Sequence, residues 1–186
     1  MIGFALCGSF CTIRRALAEL EHLTARYEVQ GIVSEAVYST DTRFAPARDV
    51  LDQMIHLTGR ELIHSVVEAE PLGPASPLDA LIICPCTGNT LAKMANGITD
   101  SAVTMAAKAH LRSNRPLVIA LASNDALSSN LKNIGEMLTR KSVYFVPMKQ
   151  DDPEKKPHSL VADFSKLQST LDAALRGEQY QRLFQI

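Results

Sequence analysis

What the chain has little of narrows its identity first. It contains no tryptophan, aromatic residues make up 5% of its 186 positions, and the formal net charge is −1. A near-neutral chain has no electrostatic pull toward nucleic acid or an anionic bilayer, so both partner classes fall away. No apolar run approaches the ~20 residues that a membrane-spanning helix needs. The opening Met1-Ile2-Gly3-Phe4-Ala5-Leu6 has neither a basic stretch nor a cleavage site. It reads as a first strand rather than a signal peptide, and the expectation is a cytoplasmic protein. Cys-x-x-Cys spacing is missing too. Cys7, Cys11, Cys84 and Cys86 lie in or just after apolar strands and read as small buried hydrophobes, with no metal expected. If the strands ending near Cys7 and Cys84 are neighbours, however, all four thiols meet at one edge of a sheet. Internal repeats, low-complexity tracts and linkers are also lacking, which leaves a single domain over 1–186.

What is present is an alternation of strands and helices. The run Ala80 to Cys84 is short and wholly apolar, as in a strand buried on both faces. Pro85 to Thr90 form a polar turn expected to halt it. Leu91, Met94, Ala95 and Ile98 then fall at helical spacing, with Asn96-Gly97 as a C-cap, and Thr99-Asp100-Ser101 open a second helix. Similar units flank this one. Ile2 to Leu6 predicts a strand, Cys7-Gly8-Ser9-Phe10 a turn, and Cys11 to Ala25 a helix. Tyr27 to Val33 is a strand running into Ser34, Tyr38 to Arg48 a polar connection, Ala47 to Thr58 a helix ended by Gly59, and 61–63 a short strand. Glu68 to Leu78, with Pro71, Pro74 and Pro77, is read as irregular. Pro116 to Ala122 is a strand, Ser123-Asn124-Asp125 a turn, Ala126 to Arg140 a helix and Ser142 to Pro147 the last core strand. From about 148 an irregular C-terminal extension is expected, with Met148 to Ser159 an exposed charged loop before a helix capped by Asp163.

This alternation predicts a three-layer α/β domain with a doubly wound parallel sheet of flavodoxin-like or Rossmann-like order. Three turns then share the sheet's carboxyl edge: Gly8-Ser9, Thr87-Gly88-Asn89-Thr90 and Ser123-Asn124, with Ser34 joining them. Backbone N–H groups and neutral hydroxyls at helix starts suit an anion, so a small-ligand site is expected there. The same residue types also serve simply as caps and turn formers.

The stretch Pro85-Cys86-Thr87-Gly88-Asn89-Thr90-Leu91-Ala92-Lys93-Met94-Ala95-Asn96-Gly97-Ile98-Thr99-Asp100 resembles the P-A-T-A-N-T-x-A-K-x-A-N-G-x-x-D signature of the flavoprotein family. That family includes homo-oligomeric flavin-containing cysteine decarboxylases and prenyl-FMN synthases. The resemblance implies FMN held by Gly8, Ser9, Ser34, Thr87, Gly88 and Thr90. It implies a substrate carboxylate oriented by Asn89, a further substrate or partner turn at Ser123 and Asn124, and assembly into trimers or larger. Two features of the decarboxylases are missing. No histidine stands just before the core strand, where Glu70-Pro71-Leu72-Gly73-Pro74 lies and His64 falls too early; and Leu121-Ala122-Ser123-Asn124 replaces a P-x-M-N segment. Peptidyl-cysteine decarboxylation is therefore not expected.

Nearly the whole chain resembles the dipicolinate-forming branch of that family, through Ser39 to Phe44, Glu68 to Pro74, Ser123 to Leu127 and Gln150 to Pro157. The resemblance implies one component of a dipicolinate synthase, working with a partner, the A subunit, which carries NAD(P). The pair would oxidise a dihydro- or hydroxytetrahydro-dipicolinate to the aromatic diacid in the mother cell of a sporulating bacterium. Glu68, Glu70 and Asp125 are the candidate bases by location. Two alternatives stand beside it: a non-catalytic structural subunit with an empty flavin pocket, and an independent enzyme of the FMN or prenyl-FMN type.

Overall fold

The computed structural model describes every residue except Pro74, Ser76, Pro77 and Ile186. Five parallel strands carry the fold: β1 (Ile2–Leu6), β2 (Val29–Val33), β3 (Ala80–Cys86), β4 (Leu117–Ser123) and β5 (Val143–Phe145). Their order is β2-β1-β3-β4-β5, the flavodoxin-like arrangement, with the chain reversing direction across the sheet between β1 and β3. β1, β3 and β4 are buried at every position. Their side chains alternate between two cores. Leu81, Ile83, Ile119 and Leu121 pack under α5 (Gly88–Ala95), α6 (Ala102–Leu111) and α7 (Leu131–Thr139). Ile2, Phe4, Leu6, Ile82 and Val118 face the other way, toward α1 (Ile13–Thr24), α3 (Ala47–Thr58) and α8 (Leu167–Ala174). Each large side chain buried in this way contributes roughly 1.5–3 kcal/mol. No helix among the described residues is long and apolar enough to cross a membrane.

The helices begin and end where local chemistry allows. Gly59 closes α3 with φ +64°, a left-handed conformation that glycine adopts at no steric cost. Ser101 and Thr104 form a reciprocal cap at the start of α6. Between β2 and α3 a short α2 (Glu35–Ser39) takes up the first part of the expected polar connection.

Several expectations are corrected. β3 does not stop at Cys84; it continues to Cys86, and Pro85 falls where the pairing with β4 shifts register between Ile83 and Cys86. A residue without an N–H is tolerated at such an irregularity. The turn is accordingly shorter and α5 starts at Gly88. Residues 61–63 make one bridge, Ile32 to Ile63, rather than a strand. The proline-bearing stretch contains α4 (Val66–Ala69), capped reciprocally by Ser65 and Glu68, and a 3-10 turn at Glu70–Leu72. Pro71 sits in that turn's first positions, where its missing N–H costs nothing; Pro74 and Pro77 lie outside the described residues. The C-terminal segment is not irregular from 148. β6 (Met148–Gln150) and β7 (Leu160–Ala162) form a hairpin whose β7 pairs antiparallel with the end of β4, so the sheet is mixed and seven-stranded. Met148, Leu160 and Ala162 supply the buried side that anchors it.

β1 and β3 are neighbours, yet the four thiols do not meet as a set: Cys7, Cys84 and Cys86 are buried and Cys11 is exposed. Among the described residues no group of three or more His, Cys, Asp or Glu side chains could hold a metal ion. Burial pushes the Cys7 thiol up to about 11 and those of Cys84 and Cys86 well above the ordinary value. A thiol reagent at mildly alkaline pH should therefore label one cysteine in the native protein and four in denaturant. Cys11→Ser should remove the native signal; labelling of two or more native thiols would contradict this packing.

Candidate functional site

Because β1, β2, β3 and β4 run parallel, the chain leaves all four at one edge. There a cleft of about 860 Å³ opens. Gly8 and Ser9 follow β1, Thr87, Gly88 and Asn89 open α5, and Ser123 and Asn124 end β4; all line it. Ser34 and Thr90 do not. A second hollow of about 610 Å³ between α1 and α3 shares Phe10, Cys11, Arg43 and Phe44 with the cleft.

Thr87 caps α5, its hydroxyl accepting from the Thr90 N–H at 3.2 Å and donating to Thr90 Oγ1 at 3.0 Å. Thr90 passes its own proton to Cys7 Sγ at 3.3 Å, so its hydroxyl is spent inside the protein. Thr90 thus braces α5 against Cys7, the residue that follows β1. Ser9 Oγ accepts from Thr12 Oγ1 at 3.1 Å, and its own O–H has no acceptor among the described residues. The Asn89 and Asn124 side chains are exposed and have no protein partner among those residues.

Ser34 stands beside the end of β1, its N–H donating to the Leu6 carbonyl at 3.0 Å. Its Oγ is buried and has no hydrogen-bond partner among the described residues. Such an orphaned hydroxyl costs about 1–3 kcal/mol unless a ligand or water meets it. Gly8 packs close by: a Cβ there would meet Ala36 Cβ at 3.3 Å and the Phe10 ring at 3.4 Å. The bare Gly8 turn and the free Ser9 hydroxyl line the cleft and suit a phosphate or polyhydroxyl chain, with the orphaned Ser34 hydroxyl at the same sheet edge but outside the cleft lining.

Asp125 is placed differently from a base. Its carboxylate accepts from Ser123 Oγ, Ser129 Oγ at 2.8 Å and Asn130 Nδ2 at 2.9 Å, and Asn133 Nδ2 in turn donates to Asn130 Oδ1 at 2.8 Å. The Ser123 hydroxyl, followed by the other donors, holds the carboxyl below its ordinary value. The network also explains why 124–130 are turns where a helix was expected: Asp125 captures side chains and backbone that a helix would need, and α7 begins only at Leu131. Gly88 packs on this cluster; a Cβ there would come within 2.6 Å of Asn130 Nδ2 and 2.8 Å of Asp125 Oδ1. Glu68 is spent capping, accepting from the His64 and Ser65 N–H groups at 3.0 Å, and these contacts lower its pKa. His64 stacks on Tyr38 with ring centroids 4.3 Å apart, and neither Glu68, Glu70 nor His64 lines the cleft. Arg15, Asp151 and Lys156, which motif reading did not pick out as site residues, line it, as does Arg43 from the polar connection at 38–48. Only folding brings these charges together, since they come from α1, the loop before α3 and the β6–β7 hairpin.

An open sheet of flavodoxin-like order with a crevice at its carboxyl edge defines an α/β protein of the flavodoxin-like class. The family profile described as Flavoprotein matches residues 1–173, and the chain belongs to that family. It is 45% identical to the B subunit of dipicolinate synthase from Bacillus subtilis (strain 168), over 97% of this chain and 90% of that protein. The crystal structure of the corresponding B subunit from Bacillus halodurans C superposes with a TM-score of 0.91 at 42% identity, covering 100% of this chain and 95% of that one. The FMN-dependent cysteine decarboxylase SpaF shares the fold, with a TM-score of 0.66 at 22% identity over 94% of both chains.

The lowered pKa of Asp125 sets a pH window. A carboxyl depressed in the folded state contributes stability that is fully present above its unfolded value of 3.8 and is lost as pH falls through the folded value. Asp125→Asn should therefore flatten the fall in stability below about pH 4, measured by urea denaturation across pH. An unchanged acid limb would mean that the network carries no charge-dependent stability.

Proposed function

We propose that this chain is the B-type component of a dipicolinate-forming oxidoreductase whose carboxyl-edge cleft binds FMN beside a small diacid. The near-full-length similarity to the B subunit of a dipicolinate synthase supports the reading. The observation that carries it is the set of unspent donors at one edge: the Ser9 hydroxyl, the buried Ser34 Oγ and the side chains of Asn89 and Asn124. Neutral donors bind anions without needing partners of their own. The FMN dependence of SpaF, a protein of the same fold, supports flavin as the cofactor.

In this reading the Gly8-Ser9 turn and Ser34 hold the phosphate and sugar-like chain, and Thr87 fixes the start of α5. When bound, the flavin supplies a two-electron acceptor. Asn89 and Asn124 orient a substrate carboxylate. Aromatisation of a dihydro-dipicolinate removes two electrons and two protons; the NAD(P)+ held by the A subunit takes both electrons and one proton, the equivalent of a hydride, and the second proton passes to water. The assembly is a homo-oligomer, trimer or larger, joined by the A subunit in the mother-cell cytoplasm.

One observation favours a second reading, in which this chain is structural and completes the A subunit's active site with its own flavin pocket empty. The cleft carboxylate nearest the donor turns, Asp125, is tied up by three side chains, so this chain supplies no free base from that position.

FMN added to the purified chain should quench flavin fluorescence and raise Tm; no binding selects the structural reading. Assays of this chain, of its partner and of the mixture should show turnover only in the mixture. Turnover by this chain alone, with a prenyl phosphate and FMN, would select an independent enzyme, and a partner that matches the mixture unaided would remove every role for this chain. Asn89→Ala should cost about ten- to a hundredfold in activity of the mixture, the loss of one hydrogen bond to a charged group. Asn89→Asp, nearly isosteric, should abolish activity with Tm unchanged; full activity in both variants would reduce Asn89 to a turn residue.

A further inference from the structure

The β6–β7 hairpin brings Asp151, Lys156 and Ser159 into the same cleft as Ser9, Asn89 and Asn124. Its loop is built rather than loose. The Lys156 N–H donates to the Asp152 carbonyl at 2.7 Å, the Lys155 N–H to Asp152 Oδ1 at 3.0 Å, and Gln150 Nε2 to the Pro157 carbonyl at 2.9 Å. Lys156 Nζ reaches back to Asp151 Oδ2 at 2.6 Å. The Asp151 carboxylate, by its hydrogen bond and its charge, raises the lysine's pKa. A solvent-exposed pair of this kind is held weakly, so Lys156 is easily drawn to a better anion.

The rest of the cleft's charge points the same way. Arg15 lies over the Phe164 ring, 5.0 Å from its centroid, and Arg43 over Phe44 at 4.9 Å. Neither has a carboxylate within 4.0 Å among the described residues. The facing acids are Asp125, saturated by Ser123, Ser129 and Asn130, and Asp151, held by Lys156. A cleft with three cations and two engaged carboxylates has an excess of positive charge in a chain whose net charge is −1.

We infer that Lys156 is the specificity-determining residue of the cleft: its ammonium exchanges Asp151 for one carboxylate of a small dicarboxylate, leaving Arg15 and Asn89 for the other. This deepens the proposed function and rests on it. The shared chemistry, a dianion, could also come from a flavin phosphate, and the test separates the two.

Metal-free protein is titrated calorimetrically with pyridine-2,6-dicarboxylate and, separately, with FMN. Lys156→Met should weaken dicarboxylate binding about ten- to a hundredfold and leave FMN affinity and Tm unchanged. Lys156→Arg should retain most of the affinity. Pyridine-2-carboxylate, with one carboxylate, should bind the wild type weakly and lose less on the Met substitution, a distinction that a merely structural lysine would not produce. Dicarboxylate binding by Lys156→Met equal to the wild type overturns the inference and leaves the proposed function standing. Loss of FMN affinity instead assigns Lys156 to the phosphate and also overturns it. A wild-type chain that binds no dicarboxylate, by itself or mixed with the A subunit, overturns both.

Discussion

The ladder through β1, β3 and β4 is the constraint on which the rest of the molecule depends. These strands are buried on both faces, so their backbone N–H and C=O groups can be satisfied only by neighbouring strands. Parallel pairing answers that demand and fixes where the chain can leave. With Leu6 beside Val33, Ala5 beside Ile83 and Ile83 beside Ile119, each strand's exit falls on the same edge. The turns and helix starts that follow the strands therefore meet there, and Gly8, Ser9, Asn89 and Asn124 line the cleft at the ladder's margin.

The electrostatics of that margin are settled by a carboxylate already in place. Asp125 packs against Gly88 at the start of α5, where the helix dipole favours an anion. It is held by three side chains, which keeps it ionised and stiffens the turn after β4. The consequence for a ligand is that α5 offers its donors beside a fixed negative charge. Two unit charges 4 Å apart interact by about 4 kcal/mol at an effective dielectric of 20, against about 1.5–3 kcal/mol for one hydrogen bond to a charged group. A single neutral donor does not offset a repulsion of that size. The attraction for a dianion has to come from cations on the other walls, and Arg15, Arg43 and Lys156 are the ones that the fold supplies.

How much of this was legible in the sequence depended on the range of the interaction. Strand–turn–helix periodicity, the Gly59 cap and the capping run at Thr99 to Ser101 act within a few residues, and the elements fell close to where they were expected. The flavodoxin-like order followed from alternation and a resemblance. The misreadings share a different cause. Pro85 was read as a strand stop because its tolerance depends on a register shift with β4. Ala126 was read as a helix start because Asp125's capture of Ser129 and Asn130 is invisible to periodicity. Met148 to Ser159 looked like a charged loop because the buried apolar positions of the hairpin, Met148, Leu160 and Ala162, fall at or beyond its two ends. At the site, the neutral donors were legible because they belong to local turns. The cations were not, since α1, the loop before α3 and the hairpin meet only in the folded chain.

The division between what binds and what reacts follows from the same inventory. Three of the four thiols are buried with raised pKa values, which removes them as thiolates near neutral pH. Asp125 is held ionised but saturated, and Glu68 is spent on a helix start. His64 is stacked on Tyr38 away from the cleft. What remains around the cleft, beside Cys11 and the Asp151–Lys156 pair, is a set of neutral amides, hydroxyls and guanidinium groups, chemistry that suits positioning an anion more than moving a proton. Positioning is still a large contribution, since holding reacting groups in line can be worth roughly 7–11 kcal/mol of a barrier. Oxidation to an aromatic ring needs an electron acceptor in register with the ring far more than a strong base. A cleft of fixed donors and cations meets that need, and in the proposed function it is what this chain contributes to a reaction completed with its partner.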